Sequence, residues 1–254
     1  NTTGVKLDST ISASIFNNAF EDNFVGVSGN NTWFTGVTNN NFYSHFAAID
    51  FNGDNSLVVN NNTLDNNFIG ISLNNVVGAP ITGNSIDNGI YGIYATGGHS
   101  LVISGNTMDF IDYGVTATDS IGIKITGNDL FGGSSGGCGE ARSIGKCGGT
   151  GSYGIHITSG GLNSVVAGNT VDNFDNGIGV ENSTDSSIFF NTVRNITYNG
   201  IYLNNDAHSL VYANNVNNAE TGIHTTGSDQ TDIIGNEVSD TYTGVLAESD
   251  TNLY

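Results

Sequence analysis

The stretch "ITGNSIDNGIYGIYATGG", residues 81–98, decides the fold. Asn84 stands two positions before Ile86, and the pair Gly92-Ile93 follows eight residues after it. Outward from this stretch the same Asn recurs at Asn18, Asn40, Asn62, Asn106 and Asn128, at steps of 22. It resumes at Asn169, Asn191, Asn214 and Asn236 after a gap of 41, one period plus 19 residues. Its apolar partners are Phe20, Phe42, Leu64, Ile86, Met108, Leu130, Val171, Val193, Val216 and Val238. A second apolar ladder lies three residues before each Asn, as in Val37, Ile81, Ile125 and Ile188. A third follows as Gly-Ile or Gly-Val, from Gly26-Val27 to Gly244-Val245, with Ala48-Ile49 in the one deviant place.

Within the third ladder apolar and polar residues alternate: Ile201 in, Tyr202 out, Leu203 in, Asn204 out. Period two is the signature of a strand with one face buried. No 22-residue coil can bury a core alone, but coils stacked at roughly 4.8 Å bury Ile on Ile and Phe on Phe. A leucine-rich repeat also has a period in the twenties and an Asn ladder. Leu is scarce here, however, and a second strand stands where that fold needs a helix or turn. The sequence predicts an all-β chain, a right-handed parallel β-helix of about ten coils, as one domain over 1–254. The Asn ladder is predicted to be structural, each amide bonding to turn backbone and to the next coil's amide.

The texture of residues 81–98, seen again in "VAGNTVDNFDNGIGVEN" at 166–182, resembles the right-handed β-helix repeats of the pectin-lyase-like superfamily, including NosD-like periplasmic proteins and alginate epimerases. The resemblance covers nearly the whole chain and implies the fold. It leaves function open, because the superfamily holds lyases, hydrolases, epimerases, tailspikes and surface proteins. The Asp-Pro-His-Glu cluster of alginate epimerases is missing, as are the paired Asp and Gly-His-Gly run of polygalacturonases. The Arg base beside clustered Asp of pectate lyases is also missing: Arg194, the one Arg on the coils, has only Asp172 nearby.

Composition limits the partners. Of 254 residues, 24 are acidic and 5 basic, for a formal net charge of −19. Such a chain repels nucleic acid and anionic membrane surfaces, and it has no apolar run of 18 residues to insert in a bilayer. The sequence starts at Asn1 rather than Met, so it is expected to be a processed chain or a segment of a larger protein. With no capping helix in the sequence at either end, open strand edges predict further coils or end-to-end self-association. Cys138 and Cys147 share the insertion at 132–152, "GGSSGGCGEARSIGKCGGTGS". A disulfide between them is expected, which places the chain outside the cytoplasm: extracellular, at the cell surface or periplasmic.

The outward positions of the Gly-Ile strand carry the candidate chemistry. The first outward column includes Tyr94, Thr116, His156, Gly179, Tyr202 and His224. His156 and Tyr202 are two coils apart, roughly 10 Å, with Gly179 leaving a gap that suits a sugar ring. The insertion just before His156 adds Arg142 and Lys146. Two readings follow. In the first, an extracellular surface, adhesion or appendage protein presents Tyr94, His156, Tyr202, His224 and Lys146 to a glycan or to neighbouring chains. In the second, a polysaccharide lyase or C5-epimerase uses His156, Tyr202 and Arg142 to abstract a proton beside a neutralised carboxylate. Ca²⁺ is a candidate cofactor at Asp50, Asn52 and Asp54, with oxygen ligands at alternate positions. It is a second candidate along the column Asp65, Asp87 and Asp109, where stacked carboxylates repel. No other cofactor is expected.

Overall fold

The computed structural model describes residues 1–133 and 151–253. They form 27 strands, β1 to β27 in chain order, and no helix. One coil shows the plan. Strand β4 (Val25–Asn30) carries the Gly-Val pair, β5 (Gly36–Thr38) the second ladder and β6 (Asn41–Tyr43) the Asn partner. Each pairs in parallel with its successor one coil on: Val27 with Ile49, Val37 with Val59, Phe42 with Leu64. The ten strands of the β5 kind, from β2 (Ser14–Phe16) to β26 (Asp232–Ile234), form one sheet. The other 17 form a second sheet. They join because in four coils the corner between the two strand kinds straightens, giving 12-residue strands such as β12 (Ser85–Thr96) and β14 (Thr107–Thr118).

The core is a stack of like residues. Val37, Val59, Ile81, Ile103, Ile125 and Ile188 are fully buried, as are Ile49, Ile71, Ile93, Ile155, Ile178, Ile201 and Ile223. Burying each such side chain contributes about 1.5–3 kcal/mol, and the gain comes only from the neighbouring coil. Glycine in the Gly-Ile pair follows from this packing. A Cβ at Gly92 would lie 2.6 Å from the carbonyl of Gly114 and 2.7 Å from Met108 Sδ. Hydrogen would clear both, but a methyl group would not.

The Asn ladder behaves as its spacing predicts. The backbone N–H of Asn84 donates to Asn106 Oδ1 at 3.0 Å, and Asn106 Nδ2 reaches back to the carbonyl of Ile81 at 2.9 Å. The ladder crosses the 41-residue gap unbroken, with Asn128 N–H donating to Asn169 Oδ1 at 2.9 Å. Lys124 pairs with Val165, and Tyr113 with Tyr153. The insertion thus leaves one coil between β16 (Asp129–Gly132) and β17 (Tyr153–Thr158) without disturbing the stack. Cys138, Arg142, Lys146 and Cys147 lie outside the described residues.

Two further polar ladders hold the other corners. Asn23 N–H donates to His45 Nδ1 at 3.1 Å, and His45 N–H to Asn67 Oδ1 at 2.9 Å. Burial lowers the His45 pKa, favouring the neutral ring that can accept at Nδ1. At the third corner Thr32 N–H donates to the Asp54 carboxylate, and Ser183 N–H to Asp206 Oδ1 at 2.8 Å. Burial pushes Asp206 up to about 6 and raises Asp54 as well.

Candidate functional site

His156 stands on β17 between Ile155 and Ile157, both fully buried, so the pleat turns it outward. Register carries the column on through β20 (Asn176–Glu181), β23 (Asn199–Asn204) and β25 (Asn215–Thr226). His156 pairs with Gly179, Gly179 with Tyr202, and Tyr202 with His224. The strip anticipated from spacing therefore exists.

Its detail differs from expectation at Gly179. The position is not an open gap, because a Cβ there would lie 2.5 Å from Tyr153 Cε1 and 3.3 Å from His156 Cδ2. The absent side chain makes room for the protein's own rings. Tyr153 stacks on His156 with centroids 4.1 Å apart and planes 7° from parallel.

Each histidine is paired with a carboxylate from a later coil. His156 Nε2 lies 2.9 Å from Glu181 Oε1, both side chains about one-fifth exposed. Asn204 Nδ2 donates to Glu181 Oε2 at 3.3 Å, and Tyr153 Oη to Oε1 at 3.5 Å. The hydrogen bond from His156 holds Glu181 below its ordinary carboxylate pKa. Burial, then Glu181, pushes the Tyr153 phenol up to about 12, so it stays a donor. His224 Nε2 lies 3.2 Å from Glu248 Oε2, and its Nδ1 lies 3.2 Å from Asn199 Oδ1. The two histidines differ in one respect: both nitrogens of His224 have partners, whereas His156 is engaged through Nε2. Tyr202 and His224 rings lie 5.1 Å apart at 51°.

Tyr94 lies two coils before His156 in the same column and packs edge-on to Tyr91 at 5.6 Å. Tyr91 stacks on Tyr113 at 4.9 Å, and Tyr113 is in register with Tyr153, so an aromatic run leads into the strip. Thr116, read as an outward neighbour, is only 8 % exposed. Beside Tyr113, Asp112 is also 8 % exposed and is pushed up to about 6 by burial and then by Asp175. Asp175 accepts the backbone N–H groups of Gly151 at 2.9 Å and Ser152 at 3.2 Å.

Among the described residues the strip is electronegative. Of the described basic side chains, Arg194 is tied to Asp172 at 2.8 Å, Lys124 belongs to the ten-stranded sheet, and Lys6 sits at the far end of the column. The proposed Ca²⁺ ligands do not converge. Asp50 and Asn52 face outward on β7 (Ala47–Asn52), while Asp54 turns into the corner ladder and is 1 % exposed. Asp65, Asp87 and Asp109 do fall in register. Asp87 is raised by burial, then by Asp109, and Asp65 accepts Asn88 Nδ2 at 2.8 Å. Among the described residues no three His, Cys, Asp or Glu side chains are placed to hold a metal ion. No helix is long and apolar enough to cross a membrane.

Sequence reading missed Tyr153, Glu181 and Glu248 as members of the site. A signal for the glutamates was present: each is in the second outward column, one coil past its histidine, within diagonal reach on a parallel sheet. Asp112 and Asp175 have no repeat-level signal.

A parallel β-helix of 22-residue coils with a polar and aromatic strip on its Gly-Ile strands defines a protein of the pectin-lyase-like class. More narrowly, the chain belongs to the family described as periplasmic copper-binding protein (NosD), whose model matches residues 1–137 and 137–254. A comparison with curated protein sequences finds no match. Solved structures similar to it include a double mutant of the periplasmic alginate epimerase AlgG, at TM-score 0.72 and 14 % identity over 95 % of this chain and 73 % of that one. Another is a DFA-IIIase mutant from Arthrobacter chlorophenolicus A6, at TM-score 0.63 and 14 % identity over 83 % and 58 %. A third is PfbA, a surface adhesin of Streptococcus pneumoniae, at TM-score 0.52 and 13 % identity over 87 % and 71 %. At these identities the likeness is one of fold. The family's description as periplasmic is consistent with a periplasmic or extracellular place. Copper favours imidazole, thiolate and thioether ligands. The described residues do not fit it: Met108 is fully buried in the core, and His156 and His224 stand three coils apart.

Proposed function

We propose that this chain is a periplasmic or surface β-helix that binds a polysaccharide along the strip from Tyr153 and His156 to Tyr202 and His224. The observation that carries the reading is the paired arrangement of ring and carboxylate: His156 on Glu181 and His224 on Glu248, with Tyr153 and Tyr202 beside them. Rings offer apolar faces to sugar C–H groups, and carboxylates and amides accept and donate to hydroxyls. The carboxylates favour a neutral glycan, or an acidic one bridged by a divalent cation, over a bare polyuronate. Arg142 and Lys146 remain proposed contributors from the insertion.

A second reading, a lyase or epimerase, is favoured by one detail. Glu181 fixes His156 through Nε2 and leaves Nδ1 as a base. A glycan array combined with a polysaccharide-cleavage screen, with and without Ca²⁺, tests both. Binding weakened about tenfold or more by Tyr202→Ala, but not by Ser72→Ala earlier in the same column, supports the glycan strip. Turnover abolished by His156→Ala with binding retained supports the enzyme. Equal, negligible effects of all three changes on a bound glycan would remove the strip from consideration.

A further inference from the structure

The ten-stranded sheet presents a different surface. In its first seven coils the segments 11–17, 33–39, 55–61, 77–83, 99–105, 121–127 and 162–168 contain no Asp or Glu, although the chain holds 24. Their one Lys is Lys124. Apolar side chains project from the same coils: Trp33 is 50 % exposed, Val58 36 %, Val77 39 %, Val102 37 %, Ile121 37 % and Leu162 40 %. A hydroxyl and amide column, Thr38, Asn60, Thr82, Ser104 and Thr126, runs beside them in strict parallel register. Beyond the seventh coil the acids return, at Asp185, Asp229 and Asp232.

We infer that this face is a homodimer interface, its occupant a second copy of the same chain. Charge is the first argument. Two molecules each at −19 repel when carboxylates face carboxylates, and over these coils this face brings none into contact. A two-fold interface requires a self-complementary patch, and an uncharged apolar and hydroxyl surface meets that requirement. Area is the second. Seven strands at about 4.8 Å spacing and seven residues of about 3.3 Å each give a patch of about 650 Å² per partner. That is close to the roughly 800 Å² per partner of a standard interface and above the total of about 1,000 Å² that marks a specific one.

Geometry then fixes the pairing. A two-fold axis along the strand direction through the central coil, the one carrying Pro80, sets the solenoids antiparallel, so the second coil of one copy faces the sixth of the other. Column position is preserved by that rotation. Lys124 falls opposite Gly36, where a Cβ would meet nothing within 4 Å. Trp33, three residues earlier on the same coil, is then within reach of the ammonium group for a cation–π contact.

Analytical ultracentrifugation of the 254-residue chain over about 1–100 μM tests the inference. A dimer is expected in which Val58→Glu with Val102→Glu weakens association at least a hundredfold, while Thr63→Glu with Thr107→Glu, an equal charge on exposed positions of the other sheet, leaves it unchanged. Far-UV circular dichroism of each variant checks that the coils remain folded. If the valine double variant fails to fold, Lys124→Glu serves in its place, because its side chain is exposed. The geometry also expects Pro80→Cys to cross-link to itself across the axis. A wild-type monomer throughout that range overturns the inference, as does a dimer indifferent to both glutamate variants. So does a monomer that instead sediments with insoluble polysaccharide or with phosphatidylcholine vesicles. Glycan binding at the strip is measured separately, so loss of either result leaves the other standing.

Discussion

Replacing Asn106 by Ala tests the Asn ladder at its middle. The side chain makes three contacts that matter. Its Oδ1 accepts the N–H of Asn84 at 3.0 Å and the Nδ2 of Asn84 at 2.9 Å, and its own Nδ2 donates to the carbonyl of Ile81 at 2.9 Å. After the change Asn84 Nδ2 keeps the carbonyls of Val59 at 3.1 Å and Thr82 at 3.2 Å, so it is not orphaned. The carbonyl of Ile81 keeps its place in the parallel pairing of Pro80–Thr82 with Val102–Ser104, so the buried group left without a partner is the N–H of Asn84. At about 1–3 kcal/mol for a buried unsatisfied group, the cost is about 1–3 kcal/mol. Asn18→Ala is the control, because Asn18 is exposed and no earlier Asn-ladder amide rests on it. Its cost should stay within about 1 kcal/mol. Asn106→Asp separates hydrogen bonding from volume. It retains an acceptor for Asn84, loses the donor, and sets a carboxylate against Asn128 Oδ1, which Nδ2 now meets at 2.9 Å. Its folded pKa should be raised above the unfolded value, so stability should be lost as pH rises and regained on acidification. Urea denaturation followed by circular dichroism gives the differences, with constant m-values required before they are compared. Asn106→Ala within about 0.5 kcal/mol of Asn18→Ala would refute the view that the ladder is structural.

Asp206 offers a second pH test. Its folded pKa is raised from 3.8 to about 6 by burial, so it contributes full stability below the unfolded value and loses it as pH rises through about 6. At about 1.4 kcal/mol per unit the loss approaches 3 kcal/mol. Asp206→Asn should flatten the fall in melting temperature between about pH 4 and pH 7.5, and an unchanged pH profile would contradict the assignment. For the insertion, alkylation under non-reducing conditions followed by intact-mass analysis should find Cys138 and Cys147 unmodified; two alkylated thiols would rule out the disulfide.

The sequence by itself determined the coil. Period 22 and the alternation around Gly92-Ile93 are local, and a parallel stack has one register that keeps Ile on Ile and Asn on Asn. Even the 41-residue step was legible, because Asn169 resumes the pattern that Asn128 leaves. The strip His156, Gly179, Tyr202 and His224 followed from the same arithmetic. Only the tertiary structure decided what those side chains do. Glu181 reaches His156 across one coil and diagonally along the strand, a choice of rotamer that spacing does not specify. Tyr153 turns onto His156 because Gly179 has no Cβ to block it. Asp54, read as a Ca²⁺ ligand, is drawn into the corner by the N–H of Thr32, a donor that exists only once two coils are stacked. Periodic backbone and core are set by composition at each position. Polar side chains at non-repeating positions settle according to which partners the finished stack brings within reach.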